Sequence, residues 1–265
     1  MPRHALVTGA NRGIGLEFVR QLLVRGEHVV ATCRNPGAAT ALNTLAGEYP
    51  GRLHVLPLDV ADEKSRARLL RELPLVLGED SRLDLLLNNA GVLHSGERAG
   101  QVEAAMLEDS LHTNAIGPFL LAQALTPWLR VAAAGGAGLD AGRQASQSEH
   151  RLTGQADVPA LRGAVVANLS SIMGSIGNSN EFRSPSYCAS KAAQNMLSVQ
   201  LAHALAPQGI VVLALHPGWV QTEMGGASAT VSVRESVRAL LQVIDGATPV
   251  QSGSFVDWRG DCLPW

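Results

Sequence analysis

The chain has 265 residues, of which 46% are hydrophobic and 17% charged, and its formal net charge is −2. A chain of this length can bury the core of one large domain or two smaller ones, and the slightly negative charge disfavours nucleic acid and anionic membranes as partners. No apolar run approaches the roughly 18 residues of a membrane helix. The three scattered cysteines argue against a disulfide framework and a metal site, so we expect a cytoplasmic protein without a metal.

Short apolar runs alternate along the chain with longer stretches of helical character. Because parallel strands need a crossover segment between them, this alternation predicts βαβ units and a mainly parallel sheet. The runs are apolar throughout, which is typical of strands covered on both faces. We therefore predict a Rossmann-type, doubly wound α/β fold in a single domain covering 1–265. Its seven strands are expected at 4–8, 28–34, 53–58, 83–88, 164–170, 210–215 and, more weakly, 253–257.

The sequence TGANRGIG at 8–15 joins the first predicted strand to an amphipathic segment. Open α/β sheets bind ligands at the carboxyl ends of their strands, where this turn is expected to lie. Gly9 permits a tight turn, Gly13 allows close approach of a pyrophosphate, and Gly15 allows the helix to pack closely. The glycine spacing differs from the commoner G-x-G-x-x-G, so a structural turn without a ligand is the alternative.

The second predicted strand ends in VVATCRN at 29–35, which contains no acidic residue. Folds that select NAD usually carry an acid there to bind the ribose hydroxyls. Arg34, together with Arg12 in the glycine turn, supplies guanidinium donors suited to a 2′-phosphate. NADP(H) is therefore favoured over NAD(H); two merely solvated arginines would leave the choice open.

Tyr187 and Lys191 lie four residues apart, at the start of a pattern with helical spacing over 189–206. Both side chains are therefore expected on one helical face. A phenol with a pKa of about 10 acts as an acid–base catalyst at neutral pH only when its phenolate is stabilised, which a nearby ammonium can do. A surface contact between the two side chains is the alternative.

Further motifs accompany these residues in a fixed order: NNAG at 88–91, Asn114, NLSSIMG at 168–174, YCASK at 187–191 and HPGWVQTEMGG at 216–226. With TGANRGIG, they make the chain resemble the short-chain dehydrogenase/reductases over essentially its whole length. The stretches SSIMGSIGN and HPGWV, with the final LPW, are most similar to the carbonyl-reductase-like subgroup that contains the sniffer and C-factor proteins.

The resemblance implies roles for four catalytic residues. Ser171 would bind the substrate carbonyl oxygen, with Ser170 as the alternative. Tyr187 would donate the proton, and Lys191 would tune Tyr187 and bind the nicotinamide ribose. Asn114 would anchor a water that relays protons to the lysine.

The resemblance also implies a set of residues that bind the cofactor. Asp59 and Val60 would contact adenine, and Pro217, Gly218 and Thr222 would flank the nicotinamide amide. The complete set is Gly9, Asn11, Arg12, Gly13, Ile14, Gly15, Arg34, Asp59, Val60, Asn89, Ala90, Gly91, Tyr187, Lys191, Pro217, Gly218, Val220 and Thr222.

The implied function is hydride transfer between NADP(H) and a small-molecule carbonyl or alcohol, with reduction as the favoured direction. A reductase of C=C or C=N bonds and a C-factor-like signalling protein that binds the cofactor are the alternatives. The family resemblance further implies a homodimer or homotetramer, paired through a helix over 109–130.

Three segments and two side chains complete the expectations. The segment 134–163 is rich in Gly, Ala, Ser and Gln and is expected to be an exposed, mobile insertion loop. The paired glycines of 222–236 suit a lid over the substrate. The loop 174–185 is expected to bulge over the site. We expect Cys188 to be packed and inert, and His94 to be structural, with a place in the pocket as the alternative.

Overall fold

The fold is that of a computed structural model, which describes residues 2–78, 82–129 and 163–265. Seven strands form a single sheet in the order β3-β2-β1-β4-β5-β6-β7, and every neighbouring pair is parallel. This confirms the predicted doubly wound fold, and each strand ends within two residues of its prediction. The strands are β1 (His4–Val7), β2 (His28–Cys33), β3 (Leu53–Pro57), β4 (Leu85–Asn88), β5 (Val165–Leu169), β6 (Val211–His216) and β7 (Ser254–Asp257).

Helices cover both faces of the sheet. They are α1 (Gly13–Val24), α2 (Thr40–Glu48), α3 (Glu63–Leu77), α4 (Ala104–Leu111), α5 (Gly117–Leu125), α6 (Pro185–Leu205) and α7 (Val233–Asp245). Alternate strand residues point to opposite faces, so Ala5 and Val7 pack with α1, α2 and α7, whereas Leu6 packs with α3, α5 and α6. Within the described ranges, no helix is long and apolar enough to cross a membrane.

The helix expected over 109–130 is different in the structure. It begins earlier, as α4, and then passes through a π turn (His112–Ile116) into α5. Apolar periodicity does not predict a π turn, because one wider turn leaves the hydrophobic pattern nearly unchanged. Residue 130 and nearly all of the 134–163 insertion lie outside the described residues.

Helix α6 begins four residues before its predicted start at 189. Pro185 occupies the first helical position, for which its fixed φ is suited, and Ser184 precedes it with a φ of 43°. Tyr187 therefore lies in the first turn of α6 rather than before it.

The segment 222–236, which is predicted to act as a lid, extends into helix α7 in the structure. Val220 and Val231 form a parallel bridge that closes a loop between them. Residues 233–236 lie in the first turn of α7, where the buried Ser236 hydroxyl donates to the Pro217 carbonyl at 2.6 Å. Only the loop before α7 is thus available as a lid.

A substitution in β4, the fourth strand in the sheet order, tests how much the apolar core contributes to the free energy of unfolding. Leu86 is fully buried there, so we expect Leu86→Ala to lower the free energy of unfolding by about 2–5 kcal/mol in urea denaturation. Leu75→Ala is the matched control, because Leu75 is 83% exposed, and it should change the free energy by less than about 0.5 kcal/mol. Equal effects in the two variants would contradict the observed burial.

Candidate active site

A cavity of about 970 Å³ opens at the carboxyl edge of the sheet. It lies beside β1, where the strand order reverses between β2 on one side and β4 on the other. This reversal is where doubly wound sheets bind their ligands. The volume is at the upper end of the range for small-molecule sites, so the cavity has room for an extended ligand.

The segments that follow β1 and β4 hold each other at the base of this cavity. The Thr8 hydroxyl accepts hydrogen bonds from the backbone N–H groups of Asn89 and Ala90, both at 3.0 Å. In return, Asn89 Nδ2 donates to the carbonyls of Thr8 at 2.8 Å and Gly9 at 3.0 Å. The four hydrogen bonds fix the glycine turn against the NNAG segment.

The glycines of the turn are required by close packing. Gly9 has a φ of +62°, and a Cβ there would lie 2.8 Å from Ala90 Cα. A Cβ on Gly15 would lie 2.4 Å from both the Gly9 carbonyl and Asn89 Nδ2. Gly13 also has a positive φ, +54°. The first turn of α1 has no acidic residue and no side-chain cap, so its N–H groups and the positive end of its dipole are available to an anion.

Most of the predicted cofactor residues line this cavity. Gly15, Gly218 and Val220 do not: Gly15 packs against Gly9, a Cβ on Gly218 would meet Trp258 Nε1 at 2.9 Å, and Val220 is buried. The predicted residues that do line it are Gly9, Asn11, Arg12, Gly13, Ile14, Arg34, Asp59, Val60, Asn89, Ala90, Gly91, Tyr187, Lys191, Pro217 and Thr222.

Both arginines that were expected to bind a 2′-phosphate line the cavity. Arg12 makes an ion pair with Glu223, and both side chains are largely exposed. Arg34 lines the same cavity with an exposed side chain and forms no ion pair among the described residues. Glu223 was missed because nothing in the sequence brings residue 223 close to the glycine turn. An exposed ion pair contributes at most about 1 kcal/mol, so an anionic ligand can compete for Arg12.

The hydroxyl beside Tyr187 belongs to Ser171. Ser171 lies two residues after β5 and caps a short 3₁₀ turn, where its side chain accepts from Met173 N at 3.1 Å, and its hydroxyl acts to lower the pKa of the nearby Tyr187 phenol. Ser170 lines the cavity and Ser171 does not, but the Ser170 hydroxyl is already engaged as a donor to the buried Asn195 Oδ1 at 2.5 Å. Of the two serines that the sequence left open, Ser171 is the one that interacts with the Tyr187 phenol.

Burial dominates the protonation of Tyr187 and Lys191. It raises the pKa of Tyr187 to about 12, against the opposing effect of the Ser171 hydrogen bond. It also lowers the pKa of Lys191 to about 7. Lys191 Nζ lies 5.7 Å from the centre of the Tyr187 ring and donates to the Leu169 carbonyl at 2.6 Å. The expected lowering of the tyrosine pKa by the ammonium is therefore not the main effect here.

Asn114 is fully buried in the π turn. Its Nδ2 donates to the Val92 carbonyl and to Ser190 Oγ, both at 2.9 Å, and its Oδ1 accepts from Val92 N at 2.8 Å. The side chain thus ties the segment after β4 to α6, one residue before Lys191. π turns are frequently found at functional sites.

The loop after Ser171 is held from the far end of the chain. Ser175 Oγ donates to the Pro264 carbonyl at 2.6 Å, and Gly177 N donates to the Trp265 carbonyl at 2.8 Å. The Trp265 ring stacks on Phe255 of β7 with centroids 5.6 Å apart. Residues 264–265 therefore fasten the loop beside Ser171 to the edge of the sheet.

Other side chains near the site are paired or inert. His94 lines the cavity, and its Nε2 lies 2.9 Å from Asp109 Oδ2. Burial raises the pKa of the Cys188 thiol, which makes it a poor nucleophile. Glu181 and Arg183 form an exposed ion pair at 3.7 Å. In the part of the chain that the structure describes, no group of three or more metal-ligating side chains is found.

A doubly wound parallel sheet, with a cavity that extends from a glycine turn to a buried serine, tyrosine and lysine, defines the class as an α/β dinucleotide-fold oxidoreductase. The family model for short chain dehydrogenases matches residues 3–138 and 155–231. The chain belongs to the short-chain dehydrogenase family.

Solved structures and a curated relative are similar to this chain. The NADPH-bound carbonyl reductase from chicken fatty liver has a TM-score of 0.85 and 35% identity, covering 100% of this chain and 99% of that one. Carbonyl reductase Sniffer of D. melanogaster has a TM-score of 0.86 and 32% identity, with both chains covered completely. C-signal of Myxococcus xanthus is 37% identical over 183 residues, which are 69% of this chain and 93% of the relative. The predicted subgroup resemblance is confirmed.

The close packing of the glycine turn can be tested by adding one methyl group at Gly15. Gly15→Ala should lower the free energy of unfolding by about 1–3 kcal/mol, because its Cβ would overlap Gly9 O and Asn89 Nδ2. Gly47→Ala is the control, since Gly47 is also helical but has open space around it, and should be neutral or stabilising by about 0.5–1 kcal/mol. Thermal unfolding of both variants measures the difference, and a Gly15→Ala protein as stable as the wild type would disprove the contact.

Proposed function

We propose that this enzyme is an NADP(H)-dependent carbonyl reductase that uses Tyr187 as its acid–base residue. The observation that carries this proposal is that Tyr187 and Lys191 both line the cavity, with Lys191 Nζ 5.7 Å from the centre of the phenol ring and the Ser171 hydroxyl close enough to lower the pKa of that phenol. Two hydroxyl groups that meet in this way present adjacent donors to one substrate oxygen. A carbonyl that gains negative charge needs such donors.

The cavity fits a dinucleotide. The uncapped start of α1 would take the pyrophosphate, Asp59 and Val60 would contact adenine, and Pro217 and Thr222 would flank the nicotinamide. Asn89, Ala90 and Gly91 would line the cleft between these ends.

Charge at the end of β2 supports NADP(H) rather than NAD(H). The cavity wall there consists of Cys33, Arg34 and Asn35, with no carboxylate to repel a 2′-phosphate. Arg34 is unpaired among the described residues, and Arg12 needs only to leave Glu223. Bound NADPH or NADP in related carbonyl reductase structures agrees with this choice.

When bound, NADPH supplies a hydride to the carbonyl carbon. Ser171 would hold the carbonyl oxygen, and Tyr187 would give its phenolic proton to that oxygen as it becomes an alcohol. With a pKa of about 12 the phenol is protonated at neutral pH, as a proton donor to the substrate oxygen must be.

The lysine would restore the proton to Tyr187. A pKa of about 7 lets Lys191 lose and regain a proton near neutral pH. Asn114 would hold the turn that anchors a water on the route from solvent to Lys191. Its buried side chain is committed to Val92 and Ser190, so its contribution would be to the placement of that turn.

One domain and a symmetric assembly complete the proposal. All seven strands share one sheet, which supports a single domain over 1–265 with the loop 222–231 as its lid. Ile116 at the end of the π turn and Leu120 in α5 are 38% and 37% exposed, which supports a homodimer or homotetramer paired through α5.

A second candidate is suggested by the similarity to C-signal: a signalling protein that binds the cofactor without turnover. The placement of Ser171 and the buried Lys191 beside the Tyr187 phenol favours the enzyme, because a scaffold has no use for it. The same placement disfavours a reductase of C=C or C=N bonds, which has less need of a donor at Ser171.

Removal of the phenolic oxygen of Tyr187 tests whether this residue is the proton donor of the reaction. Tyr187→Phe should reduce NADPH-dependent turnover of aldehydes, ketones, quinones and dicarbonyls at least about 100-fold, because the proton donor is lost. NADPH binding, followed by fluorescence, should persist. Tyr49→Phe is the matched control, since Tyr49 is the only other tyrosine and packs against Arg52 away from the cavity. Full activity in the Tyr187→Phe protein would refute the proposed mechanism.

Cofactor choice is tested at the end of β2. Arg34→Ala should weaken NADPH binding about 10- to 100-fold, the loss expected for charge-assisted hydrogen bonds to a phosphate, and leave NADH binding nearly unchanged. Arg20→Ala on the outer face of α1 serves as the control for removal of an exposed arginine. Titration of both cofactors measures the ratio, and equal losses for NADPH and NADH would argue against recognition of the 2′-phosphate by Arg34.

A further inference from the structure

A buried glutamine contacts the ammonium group of Lys191. Gln194 Oε1 accepts a hydrogen bond from Lys191 Nζ at 2.9 Å, and the exposed fractions of the two residues are only 2% and 4%. The second acceptor of Nζ is the backbone carbonyl of Leu169. In the described part of the chain, Gln194 is thus the side chain whose oxygen accepts from this ammonium.

No charged group shares this contact. Lys191 forms no salt bridge among the described residues, and burial is the cause that lowers its pKa. The elements packed around it present Tyr187 from α6, the Leu169 carbonyl from β5, and Gly174, where a Cβ would lie 2.7 Å from the Lys191 backbone. Tyr187 is the titratable group in this set, so Gln194 Oε1 and the Leu169 carbonyl are the oxygens that stabilise the positive charge.

The side-chain amide of Gln194 lowers the stability of the fold in one respect. Gln194 Nε2 is buried and has no hydrogen-bond partner among the described residues, and an unsatisfied buried donor destabilises a fold. One turn further along α6, Ser198 Oγ donates to the backbone carbonyl of Gln194 at 2.7 Å and accepts from Asn168 Nδ2 at 2.8 Å. An apolar residue of the same shape would avoid that cost, so the contact with Lys191 is the compensating feature of this side chain.

We infer that Gln194 is a positioning residue that holds the Lys191 ammonium and thereby sets the pH range in which the Tyr187–Lys191 pair works. This inference rests on the proposed function, in which Lys191 returns the proton to Tyr187. Gln194 itself touches neither the cavity nor the phenol. It acts through Lys191 alone.

The sign of each substitution follows from charge. Gln194→Met keeps the length and volume of the side chain but removes the oxygen acceptor, so the protonated form of Lys191 loses stabilisation and its titration midpoint falls. Gln194→Glu keeps the shape and places a carboxylate beside Nζ, so the midpoint rises. A hydrogen bond to a charged group corresponds to a change of about one to two pH units in each direction.

The midpoint can be measured without turnover. The chain contains only two lysines, Lys64 and Lys191, and Lys64 is exposed. Incorporation of ¹³C-labelled lysine therefore yields two side-chain signals in an NMR titration of the full-length protein, with Lys64 as the internal reference. Gln200→Met is the matched control, because Gln200 lies exposed on the same helix, and it should leave the Lys191 midpoint unchanged.

The outcomes separate this inference from the proposed function. A Lys191 midpoint that falls in Gln194→Met and rises in Gln194→Glu, with the pH profile of kcat moving in the same direction, supports it. An unchanged Lys191 midpoint in both variants overturns the inference. A midpoint that falls in both variants also overturns it, because that result would indicate general disruption of the site. If the midpoint moves as expected while Tyr187→Phe keeps full activity, the proposed function fails and the Gln194–Lys191 contact stands.

Discussion

The site depends on a contact between two stretches of backbone, one after β1 and one after β4. Four hydrogen bonds cross this gap between residues 8–9 and residues 89–90, and the chain can come so close only because Gly9 and Gly15 have no side chain. The turn that results directs the start of α1 into the cavity. The ability of this end of the cavity to bind an anion therefore depends on the close approach of the two backbone segments.

Burial is the second constraint, and it acts in opposite directions on the two central groups. The same apolar surroundings raise the pKa of Tyr187 and lower the pKa of Lys191, so both are driven toward their neutral forms. Perturbed groups of this kind concentrate at functional sites, and the remainder of the fold compensates for their cost. Here the two large hydrophobic clusters on the faces of the sheet provide that compensation.

Much of this architecture could be predicted from the sequence because the strands are uniformly apolar and the motifs stand directly at their ends. The glycine turn was identified in this way, whereas Tyr187 was found from its spacing to Lys191 and Ser171 from the family resemblance. The structure places the glycine turn and Tyr187 along one cavity. The ion pair of Arg12 with Glu223 could not be predicted, because it depends on the path of a loop more than 200 residues away. The π turn around Asn114 leaves no mark on hydrophobic periodicity. Gln194 was overlooked because a glutamine within an apolar helical pattern looks like an ordinary solvated residue until its burial is known.

The fastening of residues 175 and 177 to residues 264 and 265 has a consequence for synthesis of the chain. A nascent polypeptide emerges from its amino end, so β1 and the glycine turn are available to fold long before β7. The loop after Ser171 is anchored only after β7, the last strand, has joined the sheet. The end of the cavity at the glycine turn can therefore form on the ribosome before the loop beside Ser171 is anchored.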